Sequence, residues 1–163
     1  MSPALHGRCI NHDASFSVPY PADWWVHPAD PDRDIAECER FGPEPFELIL
    51  NNERIWEGHS IGMEVGTGCI GSFWEPASAE TRLVGGRTAS RVEYLPGVGN
   101  ESPTYPTLTY FVPLVANVEC EQGENHWFWA ATAGGFSTPV GDYEENKAIL
   151  DAMMGGLEFS ATP

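Results

Sequence analysis

Short segments in which apolar residues alternate with polar or small ones recur along the chain, and this period of two constrains the fold most. The alternation places successive side chains on opposite faces of a β-strand. Proline and glycine residues separate the segments, as is typical of turns between strands. The sequence therefore predicts a mainly antiparallel β-sheet. The alternating apolar sets are Phe16, Val18 and Tyr20; Ile61, Met63 and Val65; and Leu108, Tyr110, Val112 and Leu114.

Glycine and proline positions add local detail to this pattern. Gly85-Gly86 separates two strand-like runs, and two glycines suit a tight hairpin turn that needs positive φ angles. Gly62 and Gly66 interrupt the second alternating segment, which indicates close backbone approach or a bulge. The segment from Pro76 to Glu80 predicts one or two helical turns, with proline at the first helical position.

One segment near the end of the chain has helical spacing. Asp142 is a favourable N-cap, Glu145 completes a capping-box-like pattern, and Gly155-Gly156 predicts the end of the helix. We therefore expect an α+β fold, a single mainly antiparallel β-sheet with a long C-terminal helix packed on one face. The apolar face of that helix comprises Leu150, Met153, Met154 and Leu157.

The chain length of 163 residues suits a single domain. The sequence contains no internal repeat, low-complexity tract or domain linker. We expect residues 1–14 to form an N-terminal extension that carries Cys9, followed by one domain over residues 15–163.

The charge balance excludes some classes of partner. Eight lysines and arginines face 24 aspartates and glutamates, for a formal net charge of −16. Such a surface repels nucleic acid and anionic membranes. No apolar run approaches the ~18 residues of a spanning helix, so we expect no direct membrane insertion.

The chain has four cysteines, an even number, and no two of them form a C-x-x-C pair. This pattern favours disulfides over a zinc site. Of the three possible pairings we prefer Cys9–Cys38 with Cys69–Cys120, while four buried, reduced thiols remain the alternative. Two disulfides predict an extracytoplasmic location, secreted or membrane-anchored. Residues 1–6 lack the features of a signal peptide, so we expect an exported form to be a processed one.

No motif marks a catalytic centre, and we predict no catalytic residue, cofactor or firm metal site. The five histidines lack metal-ligand spacing, and no serine lies in a nucleophile motif. Asp30, Asp32 and Asp34 place three carboxylates at alternate positions and form a weak calcium candidate. This segment lacks the glycine and the distal glutamate of a helix–loop–helix calcium site.

Six tryptophans form the most distinctive side-chain set. Trp24 and Trp25 point to opposite sides of an extended segment, and Trp127 and Trp129 point to the same side of a strand. Exposed aromatic residues beside carboxylates suit a sugar, a cationic ligand or a protein partner, and these four are our candidate binding residues. The alternative is that they fill the core.

Three segments together resemble domains with the Mog1/PsbP-like fold. The segment from Ser15 to Trp24 resembles the opening "F-S-V-x-Y-P-x-x-W" of those domains, and the segment from Val84 to Glu93 resembles their "V-x-G-x-x-A-x-R-x-E" hairpin. The segment from Tyr143 to Phe159 resembles their closing helix and strand. Cys9-Ile-Asn and the segment from Cys38 to Phe46 look like uncharacterised actinobacterial extracytoplasmic domains of lipoprotein type. The resemblance implies an antiparallel sheet between helices and no particular activity.

The sequence thus favours a non-catalytic extracytoplasmic domain that acts by binding a protein or a small ligand. A small enzyme with an unrecognised active site and a structural module of an envelope assembly are the alternatives. A cleft with converging polar groups and perturbed pKa values would favour the enzyme, whereas an aromatic patch would favour the binding domain.

Overall fold

The computed structural model describes residues 3–50, 54–68, 74–115, 126–136 and 138–160, and the side chains of residues 50 and 54–57 lie outside this description. The first strands along the chain are β1 (Gly7–Asn11), β2 (Phe16–Tyr20), β3 (Trp25–Val26), β4 (Arg40–Gly42), β5 (Glu47–Leu50) and β6 (Arg54–Glu57). They are followed by β7 (Ile61–Thr67), β8 (Ser78–Val84), β9 (Arg87–Tyr94), β10 (Thr107–Pro113) and β11 (His126–Thr132). Helix α1 (Tyr143–Gly155) and strand β12 (Glu158–Phe159) close the fold.

The strands pair antiparallel in separate sheets. Seven form a sheet in the order β3-β4-β7-β11-β10-β9-β8, and three form a sheet in the order β1-β2-β12. Strands β5 and β6 form a two-stranded hairpin. The second sheet brings the two ends of the chain together, because Phe159 pairs with Phe16.

The expected fold, a single sheet with a long helix on one face, is wrong. Strands predominate in the part of the chain that the structure describes, and its one α-helix, near the C-terminus, has 13 residues. The prediction failed in part because β1, β2 and β12 form a sheet of their own. Strand β2 pairs with β1 and β12 rather than with a strand of the larger sheet. Alternation identifies a strand but does not say which strand it pairs with.

The core lies on one face of the seven-stranded sheet, here called the inner face. Phe41, Ile61 and Phe128 point to it and are fully buried. The ring of Phe16 from the three-stranded sheet meets Phe128 edge-to-face, with centroids 5.2 Å apart. Leu150 from α1 joins the same cluster. The small sheet and the helix therefore share the cover of the inner face.

Charged groups also join α1 to this face. The Arg91 guanidinium donates to both carboxylate oxygens of Asp151 at 2.8 and 2.9 Å, and Tyr110 donates its hydroxyl at 2.6 Å. Burial opposes ionisation of Asp151, but the bonds from Arg91 and Tyr110 outweigh it and hold the pKa of Asp151 below its ordinary value. Lys147 pairs with Glu93 at 2.6 Å one turn earlier.

The ends of α1 are where the sequence predicts them. The Asp142 side chain accepts a hydrogen bond from the backbone N–H of Glu145 at 3.0 Å. This cap satisfies one of the donors that a helix N-terminus leaves open. The helix ends at Gly155, with Gly156 as its C-cap.

The hairpin around Gly85-Gly86 is confirmed, and the helical turns predicted for residues 76–80 are wrong. The two glycines have φ angles of 56° and 77° and connect β8 to β9. Residues 78–80 already belong to β8, where Glu80 pairs with Arg91. Residues 78–83 of β8 are exposed and show no alternation of apolar and polar residues. The sequence therefore lacks the pattern that would predict a strand here, and Pro76 favoured a helix start instead.

Close backbone approach at Gly62 and Gly66 is confirmed as well. A Cβ atom at Gly62 would come within 3.0 Å of the Arg40 side chain. A Cβ atom at Gly66 would overlap the ring of Trp127. Both glycines therefore leave room for a side chain to lie flat on β7.

The predicted Cys9–Cys38 disulfide is confirmed. It joins β1 to the segment that enters β4, and thus links the two sheets. Glu37 reinforces the link by accepting hydrogen bonds from the backbone and ring of His12, which lower its pKa. The predicted Cys69–Cys120 pair lies outside the described residues.

Two further sequence expectations concern domains and membranes. Strand β1, within the expected extension over residues 1–14, pairs with β2 along its whole length. The division into residues 1–14 and 15–163 stays a prediction. Among the described residues, the one α-helix is too short and too polar to cross a membrane.

Candidate ligand-binding cleft

A cleft of about 530 Å³ lies at the β3 edge of the seven-stranded sheet. Its volume falls within the range of small-molecule binding sites. Three parts of the chain contribute to it: β3, the loop that follows β3, and the entry to β5. The lining residues are Trp25, His27, Pro28, Ala29, Asp30, Arg33, Pro45, Phe46 and Glu47.

The strand pairing explains why Trp25 faces the cleft and Trp24 does not. Trp25 pairs with Gly42 and Val26 with Phe41, so Val26 joins the inner face with Phe41. Trp25 therefore lies on the opposite face, here called the outer face. Trp24 packs against the core. The sequence prediction that these two tryptophans point to opposite sides agrees with this arrangement.

Three aromatic rings form one wall of the cleft. The Trp25 ring meets Phe46 edge-to-face at 4.8 Å and His27 at 5.2 Å. Gly42 permits this packing, since a Cβ atom there would lie 3.1 Å from the Phe46 ring. His27 and Phe46 are buried, whereas Trp25 is half-buried. Trp25 therefore presents the accessible ring surface of the wall.

The rings are held in place by further contacts. The Nδ1 atom of His27 lies 2.9 Å from the carbonyl oxygen of Pro28, which requires the proton on that nitrogen. His59 lies behind Phe46, with ring centroids 6.2 Å apart. Burial, together with the charge of Arg40, lowers the pKa of His59 to about 3. His59 is therefore neutral at physiological pH and adds no charge to the wall.

Charged side chains also line the cleft. Asp30 precedes a 3₁₀ turn over Pro31–Arg33, and its carboxylate accepts from the backbone N–H of Asp32 at 3.2 Å. Arg33 donates to the carbonyl oxygen of Leu48 at 2.6 Å and so ties this loop to β5. Glu47 is exposed and lines the cleft as well. Two carboxylates and one guanidinium therefore share the lining of the cleft with the aromatic wall.

The three aspartates of the weak calcium candidate have different positions. Asp30 lines the cleft. Asp34 ends the 3₁₀ turn with a φ of 55°. Among the described residues, no group of three or more histidine, cysteine, aspartate or glutamate side chains is placed to hold a metal ion. The structure does not bring the three carboxylates into one coordination site.

Trp127 and Trp129 lie on the outer face but away from the cleft. They alternate with the buried Phe128 on β11, which lies three strand positions from β3. The indole N–H of Trp127 donates to the carbonyl oxygen of Gly68 at 3.2 Å. Trp129 pairs across the strands with Glu64 and Phe111. Of the four candidate tryptophans, only Trp25 lines the cleft.

Sequence reasoning missed most of the cleft. His27, Arg33, Phe46 and Glu47 were not singled out as binding residues. Phe46 is named there only as the last residue of a segment that resembles actinobacterial domains. A signal for the others was present in the proline-rich loops that flank β3 and β5, because loops on a rigid scaffold often carry binding residues.

Comparisons with protein-family models, with curated proteins and with solved structures gave no match for this chain. The resemblance to Mog1/PsbP-like domains and to actinobacterial domains stays a prediction.

Proposed function

We propose that this chain is a non-catalytic extracytoplasmic binding domain that takes a small organic ligand into the cleft at the β3 edge. The observation that carries the proposal is the half-buried ring of Trp25, which packs against two buried rings in a cleft that charged groups also line. Few precisely placed polar groups around an apolar wall are typical of small-molecule sites.

The chemistry of the lining favours an uncharged or cationic ligand. An apolar or planar part of the ligand would stack on Trp25. Hydroxyl or ammonium groups would then reach the carboxylates of Asp30 and Glu47, which outnumber the single guanidinium of Arg33. The net charge of −16 on the chain disfavours anions further.

The Cys9–Cys38 disulfide supports the extracytoplasmic part of the proposal. Disulfides persist in oxidising compartments and are rare in the cytosol. The bond also connects the small sheet to β4, the strand that supports Trp25, so it helps to preform the cleft.

A fragment screen followed by ¹⁵N NMR tests the proposal. Each tryptophan contributes an indole N–H signal, so the chain carries its own reporters on and off the cleft. We expect binding fragments to shift the Trp25 indole signal and the backbone signals of His27 and Asp30. The indole signals of Trp127 and Trp129, three strand positions away, serve as matched controls and should stay unchanged.

Two variants complete the test. Trp25→Ala should weaken the binding of any hit at least tenfold, whereas Trp129→Ala should leave it unchanged. A screen without hits at the cleft would favour the structural-module alternative and contradict the proposal. Chemical turnover of a bound fragment would contradict its non-catalytic part.

A further inference from the structure

The opposite edge of the seven-stranded sheet is long and exposed. Strand β8 has seven residues, and in the described part of the chain it pairs with β9 alone. Residues 78–83 are all exposed, and Leu83 retains 76% of its accessible surface. An edge of this length offers a row of backbone donors and acceptors to another strand.

The hairpin turn determines which backbone groups face the open side. Both turn glycines have positive φ, as in a type I′ turn, so Val84 and Arg87 flank the turn as a hydrogen-bonded pair. Hydrogen-bonded and non-hydrogen-bonded pairs then alternate along the hairpin. Arg82 and Glu80 therefore bond to β9, whereas Ala79, Thr81 and Leu83 direct their N–H and C=O groups away from it.

The side chains of β8 are self-complementary about Thr81. In an antiparallel pairing of two β8 strands with Thr81 opposite Thr81, Glu80 of each copy faces Arg82 of the other. Ala79 of each copy faces Leu83 of the other on the outer face. Opposite charges across a strand pair stabilise it, and like charges destabilise it. This register also matches the outward backbone groups of Ala79, Thr81 and Leu83 as hydrogen-bonded pairs.

The two charged side chains are already fixed on the inner face. Glu80 accepts from Arg82 at 2.8 Å and from Arg91 at 3.2 Å. Arg82 also lies 3.3 Å from the hydroxyl of Tyr110. A second copy would therefore meet a prearranged pair of opposite charges, and little side-chain conformational freedom would be lost on pairing.

We propose that two copies of this chain associate through β8 about a twofold axis at Thr81, which joins their seven-stranded sheets into one continuous sheet. The occupant of the edge is a second copy because the charge pattern of β8 complements itself in the one register that also satisfies the backbone. The inference is independent of the cleft, which lies at the other edge.

Sedimentation velocity of the full chain tests this proposal. The protein concentration should run from about 1 µM to about 1 mM, which covers the dissociation constants of weak complexes. The salt concentration should shorten the screening length to below about 8 Å, because each copy carries a charge of −16. We expect a concentration-dependent dimer. A monomer over the whole range would overturn the proposal and leave the edge to a different extended chain.

Thr81→Pro removes a donor on the open side and should abolish the dimer while leaving the monomer folded. Thr81→Val keeps the donor and a β-branched side chain, so it should dimerise as the wild type does. A dimer that persists in Thr81→Pro would overturn the proposal.

A charge exchange keeps the proposal testable if the proline variant fails to fold. Glu80→Arg and Arg82→Glu each place like charges opposite one another in the proposed register, so each alone should lose dimerisation. An equimolar mixture restores both opposite-charge contacts and should associate at least tenfold more tightly than either variant alone. A mixture that associates no better than its components would overturn the proposed register.

Discussion

The two edges of the seven-stranded sheet differ in how much of their backbone the chain itself engages. The β3 edge has two residues, is held through β4 to the Cys9–Cys38 disulfide, and borders the cleft. The β8 edge has seven residues and is exposed along nearly its whole length. The neighbouring strand β9 connects this edge to the helix, because Arg91 of β9 binds Asp151 of α1.

This difference is the reason why we propose different partners for the two edges. A two-residue strand offers little backbone for another strand to pair with, so loops can fold beside it and form a cleft for a small molecule. A long, exposed strand offers a template for a strand of another molecule. The predictions below break one edge or the other, in order of decreasing effect.

Removal of the disulfide should have the largest effect on stability. We expect the double variant Cys9→Ser/Cys38→Ser to lose about 3–4 kcal/mol of unfolding free energy, because the bond closes a loop with a sequence separation of 29. Urea unfolding of the variant and the wild type measures the loss. A difference below about 1 kcal/mol would show that the bond does not constrain the unfolded chain as this model of disulfides requires.

Loss of the Arg91–Asp151 pair, which connects β9 to α1, should have the second-largest effect on stability. Asp151→Asn removes the nearer of the two carboxylates that pair with the Arg91 side chain, which is 9% exposed, and leaves it Glu80 at 3.2 Å. We expect a loss of about 2–3 kcal/mol, less than for a fully buried pair, because Asp151 is 27% exposed and Glu80 still pairs with Arg91. Glu158→Gln is the control, because its pair with Arg8 is exposed and should contribute below about 1 kcal/mol. Equal losses in the two variants would contradict this account.

The contribution of Asp151 should depend on pH in a defined direction. Its folded-state pKa is depressed, so the stabilisation is complete above its unfolded pKa of about 3.9 and is lost as the pH falls through the folded-state value. The stability difference between wild type and Asp151→Asn should therefore be constant from about pH 7 to pH 5 and shrink below about pH 4. Unfolding titrations at a series of pH values measure it. A difference that grows on acidification would contradict the assignment.

The smallest effect should be the difference between alanine variants of the two glycines in the turn at the end of β8. Alanine at Gly85 or Gly86 costs about 1–2 kcal/mol for the left-handed backbone conformation. At Gly85 the new Cβ atom would also lie 2.6 Å from the Phe159 ring, whereas nothing lies within 4 Å at Gly86. We expect Gly85→Ala to be less stable than Gly86→Ala by about 1 kcal/mol. Equal stabilities would show that β12 yields to the added atom.

Features with local signals could be predicted from the sequence. The cap at Asp142, the end of α1 at Gly155-Gly156 and the hairpin turn at Gly85-Gly86 each depend on a few adjacent residues. The disulfide between Cys9 and Cys38 was one of three possible pairings, and the sequence supported it only as a preference.

Features that depend on distant pairing could not be predicted. Alternation marks β2 as a strand, but its partnership with β12 joins opposite ends of the chain. Strand β8 has solvent on both faces of most residues, so its pattern resembles that of a loop or helix start. In the cleft, the pair Trp24-Trp25 was informative, whereas Phe46 and Arg33 reach the same place through the pairing of β3 with β4 and the bond to Leu48.

Amide hydrogen exchange along β8, measured by NMR on a dilute sample, tests the contrast between the edges most directly. We predict fast exchange for Ala79, Thr81 and Leu83 and slow exchange for Glu80, Arg82 and Val84. The amide of His27, which donates to the carbonyl oxygen of Arg40 at 3.0 Å, provides a protected reference at the other edge. Equal protection of all six β8 amides in the dilute sample would mean that the chain already covers this edge, and would contradict the account.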